Sequence, residues 1–330
     1  MNIEFLKKMC AANGTSGHEQ AISAIIRDEI KDLVDDVRTD ALGNLIAHKK
    51  GPGKKMMLAG HMDQIGLMVT HIDKEGFMRF AAVGGFNPTV LVAQRFVFPS
   101  GLLAVVQCER LDDPKDMAID KLYLDIGAKD EADAKRLVKI GDVCVYATLP
   151  SENGDVLIAP ALDDRIGCFI MIEALKQLKN PAYDLYFVFT TQEEVGLRGA
   201  KTSAYSVDPD YGLAFDVTYS ADTPKTMPMP MKMYDGAAIK LKDNSVICHP
   251  MIIKHLEKCA EAGDIKYQYE ILEMGGTDSG AIHVSRKGVP SGVISIATRH
   301  IHSPNEMCAI SDIEACIALT VKVLETQMDM

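Results

Sequence analysis

The spacing of hydrophobic residues changes along the chain, and each change predicts a different kind of structure. Residues 2–12 and roughly 19–33 have apolar side chains at helical spacing, for example at Ile22 and Ile30. From about residue 38, short apolar runs separated by Gly and Asp turns predict strands. The predicted strands are 56–60, 65–72, 78–83, 95–107, 121–127 and 142–148, and one small helix is predicted at about 130–138.

After Pro160, predicted helices and strands alternate. Strands alternating with helices are typical of a layered α/β sheet. We therefore expect a three-layer α/β/α domain made of residues 1–68 and 160–330, interrupted by a small β-barrel-like domain at 69–159. The helices are predicted at 164–178, shortly after 191, at 250–262, near 278–286 and from about 311, and the strands at 184–191, 212–217, 267–272 and 292–297.

Histidine and acidic residues follow several of these predicted strands directly. In open α/β sheets, ligands bind outside the carboxyl ends of the strands, so these side chains are expected to converge in one crevice. Asp163, before the helix predicted at 164–178, adds a further carboxylate. The predicted site residues that follow strands are His61, Asp63, Glu193, Glu194, Asp216 and His302.

Each of these residues also has an ordinary structural interpretation. Asp163 or Asp164 suits a helix N-cap, and Glu193-Glu194 suits a solvated turn. A single histidine is more often a surface or core residue than a ligand, and Asp63 is equally suited to stabilising a turn. The joint placement of these residues, rather than any one of them, favours a functional site.

The residue types indicate which chemistry such a site would support. Two imidazoles with several carboxylates and no thiolate suit zinc, cobalt or manganese. One carboxylate can bridge two cations about 3.5–4 Å apart, and a water shared by two cations has a strongly lowered pKa. The base that takes the proton from this water cannot also be a ligand. The adjacent Glu193 and Glu194 are able to divide these two tasks.

Composition narrows the class of protein and its partners. The 330 residues are 47% hydrophobic and 25% charged, as in ordinary soluble globular proteins. A formal charge of −11 disfavours nucleic acid and anionic membranes as partners. No apolar run approaches the roughly 20 residues of a membrane span, and no signal peptide is visible, so we expect a cytoplasmic protein. Eight cysteines without a Cys-x-x-Cys pair predict reduced core residues.

Six sequence blocks resemble the signatures of one metallopeptidase family. Its members are called TET or tetrahedral aminopeptidases, glutamyl aminopeptidases, deblocking aminopeptidases and, in some cases, cellulase M. The blocks occur in the expected order over nearly the whole chain. They are GHMDQIG (60–66), ALDDRIG (161–167), TTQEEVGLRGA (190–200), AFDV (214–217), GGTDSGAI (275–282) and RHIHSPNE (299–306).

The resemblance implies a role for each candidate residue. Asp163 would bridge two divalent metal ions, and Glu193 would be the general base. Asp63 would orient His61, while Thr277 and Asp278 would lie near the substrate pocket. The remaining metal ligands would be His61, Glu194, Asp216 and His302.

The resemblance also implies substrates and assembly. Oligopeptides would be cleaved at the N-terminal residue, and the inserted domain at 69–159 would mediate dimerisation. Dimers would build a hollow tetrahedral dodecamer with the active sites inside.

Three departures from the family pattern affect positions outside the metal ligands. Gln64 stands where many members have Glu, and Ala297 and His300 stand where Pro and Tyr are frequent. Residues 99–113 lack the usual histidine. Because no ligand is altered, we expect the chemistry to be retained, whereas substrate preference and oligomer contacts stay open.

Three other functions compete with the aminopeptidase hypothesis. A metal-free glycosidase needs two carboxylates about 5–9.5 Å apart across a sugar, and adjacent Glu193 and Glu194 suit this poorly. A non-catalytic binding or assembly protein would be expected to have a broken ligand set, but all the ligands are present. Another co-catalytic metallohydrolase, such as a carboxypeptidase or a deacylase, would use the same residues.

Overall fold

The computed structural model describes residues 1–226 and 228–328. Within these ranges the chain forms nine α-helices and seventeen β-strands, with two short 3₁₀ turns. The helices are α1 (Ile3–Cys10), α2 (Gln20–Ile30), α3 (Pro88–Leu91), α4 (Glu131–Leu137), α5 (Leu162–Gln177), α6 (Arg198–Val207), α7 (Pro250–Ala262), α8 (Ser279–Ile282) and α9 (Ile310–Leu324). The strands are β1 (Asp36–Thr39), β2 (Leu45–Lys49), β3 (Lys55–His61), β4 (Gly66–Ile72), β5 (Met78–Val83), β6 (Arg95–Val97), β7 (Leu103–Cys108), β8 (Leu122–Asp125), β9 (Val143–Tyr146), β10 (Ser151–Asn153), β11 (Val156–Ala159), β12 (Asp184–Thr190), β13 (Tyr211–Tyr219), β14 (Ala237–Lys242), β15 (Tyr267–Ile271), β16 (Ser291–Arg299) and β17 (Glu306–Ala309).

A large mixed sheet forms the centre of the molecule. Among the described residues it has eleven strands, in the order β1-β2-β12-β3-β13-β16-β17-β11-β10, with β14 joined to β16 and β15 joined to β14. Its central strands β12, β3, β13 and β16 are parallel, so their carboxyl ends meet at one edge. This edge is where the candidate site residues were expected.

Helices cover both faces of the sheet. Met56 and Leu58 on β3 belong to the core that includes α1, α2, α5, α7 and α9. Met57 and Ala59 belong to a second core with α6 and α8. Successive residues of a strand point to opposite faces, so one strand supplies both cores. The predicted three-layer α/β/α arrangement is confirmed.

A closed antiparallel barrel forms the second unit of the fold. Its strand order is β4-β5-β8-β7-β6-β9, and its interior is a separate apolar core that includes Val69, Phe80, Phe96 and Leu124. Short apolar runs separated by Gly or Asp turns placed β4, β5, β8 and β9, but the single strand predicted at 95–107 is wrong, because a turn divides it into the antiparallel pair β6 and β7. The predicted barrel-like fold is therefore confirmed, while the domain limits at 69 and 159 stay a prediction.

Several elements differ from the sequence-based expectation. β13 continues three residues past Asp216, because residues 217–219 pair with β16. β10 and β11 pair with the main sheet through β17, although they lie inside the range 69–159. The helix expected at 278–286 is shorter in the structure, where α8 covers only Ser279–Ile282. Beyond it, the Val289 N–H donates a hydrogen bond to the carbonyl of His283.

Two further predictions concern membranes and cysteines. Among residues 1–226 and 228–328, no helix combines the length and apolar character required to cross a bilayer. All eight cysteines lie within these ranges and are free thiols, and seven are buried. Their predicted state as reduced residues, mostly in the core, is confirmed.

Candidate metal centre

Strand register brings His61 and Asp216 together. His61 is the last residue of β3 and lies opposite Thr190, three residues before Glu193. The pairing of β3 with β13 ends at Ala59 and Ala214, two residues before His61 and Asp216. Both side chains therefore follow the point where the two strands separate. This divergence opens space at the carboxyl edge of the sheet.

Asp163 and Asp164 have different roles at the start of α5. Asp164 Oδ1 accepts a hydrogen bond from the Gly167 N–H at 3.0 Å, as expected of a helix cap. Its Oδ2 accepts from the His61 N–H at 3.1 Å, which ties the helix start to the end of β3. Of the two aspartates proposed as caps, Asp164 therefore has that role, and Asp163 faces the cluster.

Two groups of side chains have ligand atoms close enough to share a cation. In each group the ligand atoms all lie within 4.8 Å of one another. We call His61, Asp163 and Asp216 the inner group, and Asp163, Glu194 and His302 the outer group. All three residues of the inner group are buried, whereas Glu194 and His302 are partly exposed.

Asp163 connects the two groups through its two carboxylate oxygens. Oδ1 lies 3.0 Å from His61 Nε2, and Oδ2 lies 3.3 Å from His302 Nε2. His302 Nε2 is also 3.3 Å from Glu194 Oε2. Each oxygen of Asp163 thus faces a different imidazole, as a carboxylate bridging two cations would require.

Glu193 is close to both groups and belongs to neither. Its Oε2 lies 3.9 Å from His61 Nε2, and its side chain lines the same pocket as Asp163 and Asp216. Glu194, the next residue, turns its side chain toward His302. The adjacent glutamates therefore differ in position: Glu194 belongs to the outer group, whereas the carboxylate of Glu193 is not needed as a ligand.

Asp63 organises the loop that carries these two glutamates. Its carboxylate accepts hydrogen bonds from the N–H groups of Glu193 (3.0 Å) and Glu194 (3.2 Å) and from the Ser16 hydroxyl (2.6 Å). His61 Nδ1 lies 3.0 Å from the Asp63 backbone carbonyl and 3.5 Å from its carboxylate. The backbone carbonyl of Asp63 is therefore the nearer acceptor for the imidazole, while its carboxylate fixes the glutamate loop.

Two residues that the sequence analysis did not single out hold this site in place. Glu306 Oε2 accepts from the Asp163 N–H at 3.0 Å, and its Oε1 accepts from the His302 N–H at 2.8 Å. Glu306 is the last residue of the RHIHSPNE block, and its place in that block is the only sequence feature that could have indicated a role at the site. Ser16, the donor to Asp63, has no local signal because it is 47 residues away in sequence.

The carboxylates repel one another strongly. Burial, and then the charge of Asp163, raise the pKa values of Asp216 and Glu194. Burial also raises the pKa of Glu193, and Asp216 and Glu194 raise it further. For Asp163, burial acts in the same direction, but hydrogen bonds from His302 and His61 outweigh it and lower the pKa. Burying so many acids together is costly unless cations compensate their charge.

The donor set fits divalent cations on physical grounds. Nitrogen and carboxylate oxygens without thiolate are ligands typical of zinc, cobalt and manganese. Within the described residues, Glu194 Oε1 is buried and has no hydrogen-bond partner. A buried oxygen without a partner, on a carboxylate whose other oxygen lies 3.3 Å from the His302 imidazole, suits a metal ligand better than a structural hydrogen bond.

The site lies in a pocket of about 310 Å³ that we call the metal-site pocket. Its lining includes Glu193, Thr277 and His302 together with other site residues. A larger space of about 990 Å³, the outer cleft, is adjacent and shares Tyr219 and His302 with it. Asp278 does not line the pocket, and its buried carboxylate accepts a hydrogen bond from Thr190 at 2.5 Å.

The departures from the family pattern lie around the site rather than within it. Gln64 donates to the carbonyl of Ala12 at 3.0 Å. Ala297 is buried in a small core with Met231, and His300 is exposed at the rim of the outer cleft. None of the three belongs to the inner or outer group.

Comparison with known proteins places this site in a family. The model of the M42 glutamyl aminopeptidase family matches residues 43–319. The chain belongs to the M42 glutamyl aminopeptidase family. A relative from Acetivibrio thermocellus, described as a putative aminopeptidase, is 49% identical over 97% of this chain and 98% of its own length. The predicted family resemblance is confirmed.

Solved structures of similar proteins support the same membership in the M42 glutamyl aminopeptidase family. An aminopeptidase from the archaeon Desulfurococcus kamchatkensis superposes with a TM-score of 0.95 at 34% identity, covering 98% of this chain and 94% of its own. The TET1 peptidase of Pyrococcus horikoshii, described as assembling into a tetrahedron or a large octahedral shell, gives 0.87 at 33% identity, covering 98% of both chains. A peptide hydrolase is therefore favoured over the glycosidase alternative.

Proposed function

We propose that this chain is a dinuclear metal-dependent aminopeptidase that removes N-terminal residues from oligopeptides. The observation that carries the proposal is the position of Asp163 between the inner and outer groups, with one oxygen toward each imidazole. Family membership supplies the reaction class.

In this proposal each group holds one divalent cation, zinc, cobalt or manganese. His61 and Asp216 would hold the first cation, Glu194 and His302 would hold the second, and Asp163 would contribute to both. When bound, the cations would polarise the scissile carbonyl and favour deprotonation of the attacking water. All of the ligand atoms concerned come from this chain.

Glu193 is the proposed general base. It lies in the metal-site pocket, close to His61 and outside both ligand groups, so its carboxylate is free to accept a proton from water. The same carboxyl group would then deliver this proton to the leaving amine. Asp63 would keep Glu193 in place through the backbone hydrogen bond that it accepts.

Substrate contacts are proposed for two neighbouring residues. Thr277 lines the metal-site pocket, which supports the proposal that it contacts the N-terminal residue of a peptide. Asp278 is one residue further on and is buried. We propose that Asp278 acts indirectly, through Thr190. Its carboxylate accepts a hydrogen bond from the Thr190 hydroxyl, and Thr190 lies opposite His61 in the sheet.

Assembly and location belong to the proposal as well. We propose that the barrel-containing region 69–159 mediates dimerisation and that dimers form a tetrahedral dodecamer enclosing the active sites. The shells described for the Pyrococcus horikoshii TET1 peptidase support this assembly. We also propose a cytoplasmic location, supported by the acidic composition and by the eight cysteines, all of which the structure describes as free thiols.

The decisive experiment combines metal analysis with a substrate panel. Purified protein is expected to contain two divalent ions per chain and to hydrolyse aminoacyl-coumarin amides. A chelator should abolish the activity, and added zinc or cobalt should restore it. Activity that survives complete metal removal would refute the proposal.

A second panel separates the nearest alternatives. Peptides with a free N-terminus should be cleaved, and N-acetylated copies of the same peptides should not. Release of the C-terminal residue would indicate a carboxypeptidase, and release of acetate would indicate a deacylase.

A further inference from the structure

The metal-site pocket has a wall that neither cation group uses. Apart from the glutamates, aspartates and histidines, its lining is nearly neutral. Lys240 is the one cationic side chain among the lining residues that the structure describes. The residues of this wall that bear on side-chain selection are Val217, Lys240, Leu272, Gly275, Gly276 and Ile301.

Lys240 is already paired with two buried acids. Its Nζ donates to Glu270 Oε1, and Asp243 Oδ2 lies 3.6 Å away. Lys240 is 1% exposed, Glu270 0% and Asp243 2%. Burial disfavours the ammonium charge, but Glu270 and Asp243 more than compensate and raise the pKa of Lys240. One cation therefore faces two anions.

The two acids are held in place and cannot easily turn away from Lys240. Glu270 lies opposite Lys240 in the β14–β15 register and also accepts a hydrogen bond from Thr218 Oγ1 at 2.7 Å. Asp243 accepts from the N–H groups of Ser245 (2.7 Å) and Val246 (2.9 Å). Both acids therefore stay beside Lys240.

This arrangement disfavours both signs of charge on an incoming side chain. A carboxylate would be the third anion around a single ammonium, and burying it without a partner is costly. An ammonium or guanidinium would meet Lys240, because Glu270 and Asp243 lie behind the wall and do not line the pocket. The remaining wall atoms are mostly apolar or belong to glycine.

A second cavity offers room for an apolar side chain. Its volume is about 440 Å³, and it shares Tyr219 and Leu272 with the metal-site pocket. Its lining includes Met229 and Met274, flexible side chains that adapt to different apolar shapes. A large aliphatic side chain pointing at Leu272 would therefore be directed toward a mainly apolar space.

We infer that this chain selects peptides whose N-terminal side chain is neutral and apolar, and that Glu270 and Asp243 prevent Lys240 from binding acidic ones. The inference rests on the proposed aminopeptidase function. It differs from the glutamyl preference in the family's name, since a glutamyl enzyme needs a cation available to the substrate.

The first test compares four substrates. The unaltered protein is loaded with metal and then assayed with the coumarin amides of leucine, methionine, glutamate and lysine. We expect kcat/KM for leucyl and methionyl amides to exceed that for glutamyl and lysyl amides by at least about tenfold. A glutamyl or lysyl amide cleaved as well as the leucyl amide would overturn the inference. Failure to hydrolyse any of them, or hydrolysis insensitive to chelator, would instead refute the proposed function.

The second test changes the charge around Lys240. Glu270→Gln should free the ammonium and raise the glutamyl-to-leucyl ratio of kcat/KM by about tenfold. Glu173→Gln is the matched control, because Glu173 is also a buried acid paired with a lysine (Lys176, 2.8 Å), but Lys176, unlike Lys240, does not line the pocket. The control should leave the ratio unchanged. If Glu270→Gln folds and its glutamyl-to-leucyl ratio equals that of the control, Glu270 does not prevent Lys240 from binding acidic side chains. If the variant does not fold, the inference stands or falls on the first test.

Discussion

The inner and outer groups share Asp163 but are built in different ways. The inner group depends on sheet register: His61 ends β3, and Asp216 lies within β13 beside it. The outer group depends on loops, since Glu194 follows β12 and His302 follows β16. The side chain of His302 is 29% exposed, compared with 2% for His61.

The difference indicates how each group is stabilised. Backbone hydrogen bonds between strands fix the inner group, and changing it requires moving the core of the sheet. The outer group relies on separate side chains, Glu306 for His302 and Asp63 for Glu194. We therefore expect the outer group to be the more easily perturbed, and the following experiments test this contrast.

The largest effect is expected at Asp163, the residue that both groups share. Asp163→Asn should lower kcat/KM by more than ~10,000-fold, because it weakens both cation sites as well as the chemistry. Elemental analysis should show loss of both ions. Asp312→Asn is a suitable control, since Asp312 is also buried but accepts backbone N–H groups of Tyr234 and Gly236 away from the site.

Glu193→Gln should separate proton transfer from metal binding. Glutamine keeps the shape of the side chain but cannot accept the proton, so kcat should fall by about 100- to 10,000-fold. Metal content should stay near that of the unaltered protein, because Glu193 belongs to neither group. Wild-type turnover in this variant would exclude Glu193 as the base.

Asp63→Asn tests whether the outer group depends on its support. The asparagine amide has one acceptor oxygen, so it loses either the bond from the Glu193 N–H or the bonds from the Glu194 N–H and Ser16, and the loop that carries both glutamates should shift. We expect metal affinity to fall by about 10- to 100-fold, mainly for one of two ions. Chelator competition followed by metal analysis would resolve the two ions. Equal weakening of both would show that the groups are not independent.

Much of this architecture was predictable from sequence. Met56 to Ala59 alternate between two cores, and short apolar runs with Gly or Asp turns predicted four of the six barrel strands, β6 and β7 having been predicted as one. The convergence of His61 and Asp216 follows from the rule that parallel strands end at one edge. The local sequence pattern was sufficient to predict those features that depend on a single strand and on the residues at its carboxyl end.

Long-range contacts were not predictable in this way. Glu306 bonds the backbone of Asp163 from 143 residues away, and Ser16 reaches Asp63 across 47. The pairing of Lys240 with Glu270 depends on β14, an unpredicted strand whose neighbours in the sheet come later in the chain. These contacts are properties of the assembled fold, because no local periodicity specifies which distant strand or loop will be adjacent.

The smallest predicted effect concerns the contact between the barrel region and the outer group. Gly85 follows β5, and a Cβ added there would lie 3.2 Å from His302 Nδ1 and 3.3 Å from its Cε1. Gly85→Ala should push the imidazole by a few tenths of an ångström and lower kcat/KM roughly threefold, since small misplacements of a ligand weaken catalysis. The ion of the inner group and the melting temperature should be unaffected, because the contact involves only His302 of the two groups. If instead the inner ion is lost along with the outer one, the two groups respond as one unit and the contrast between register and loop support does not hold.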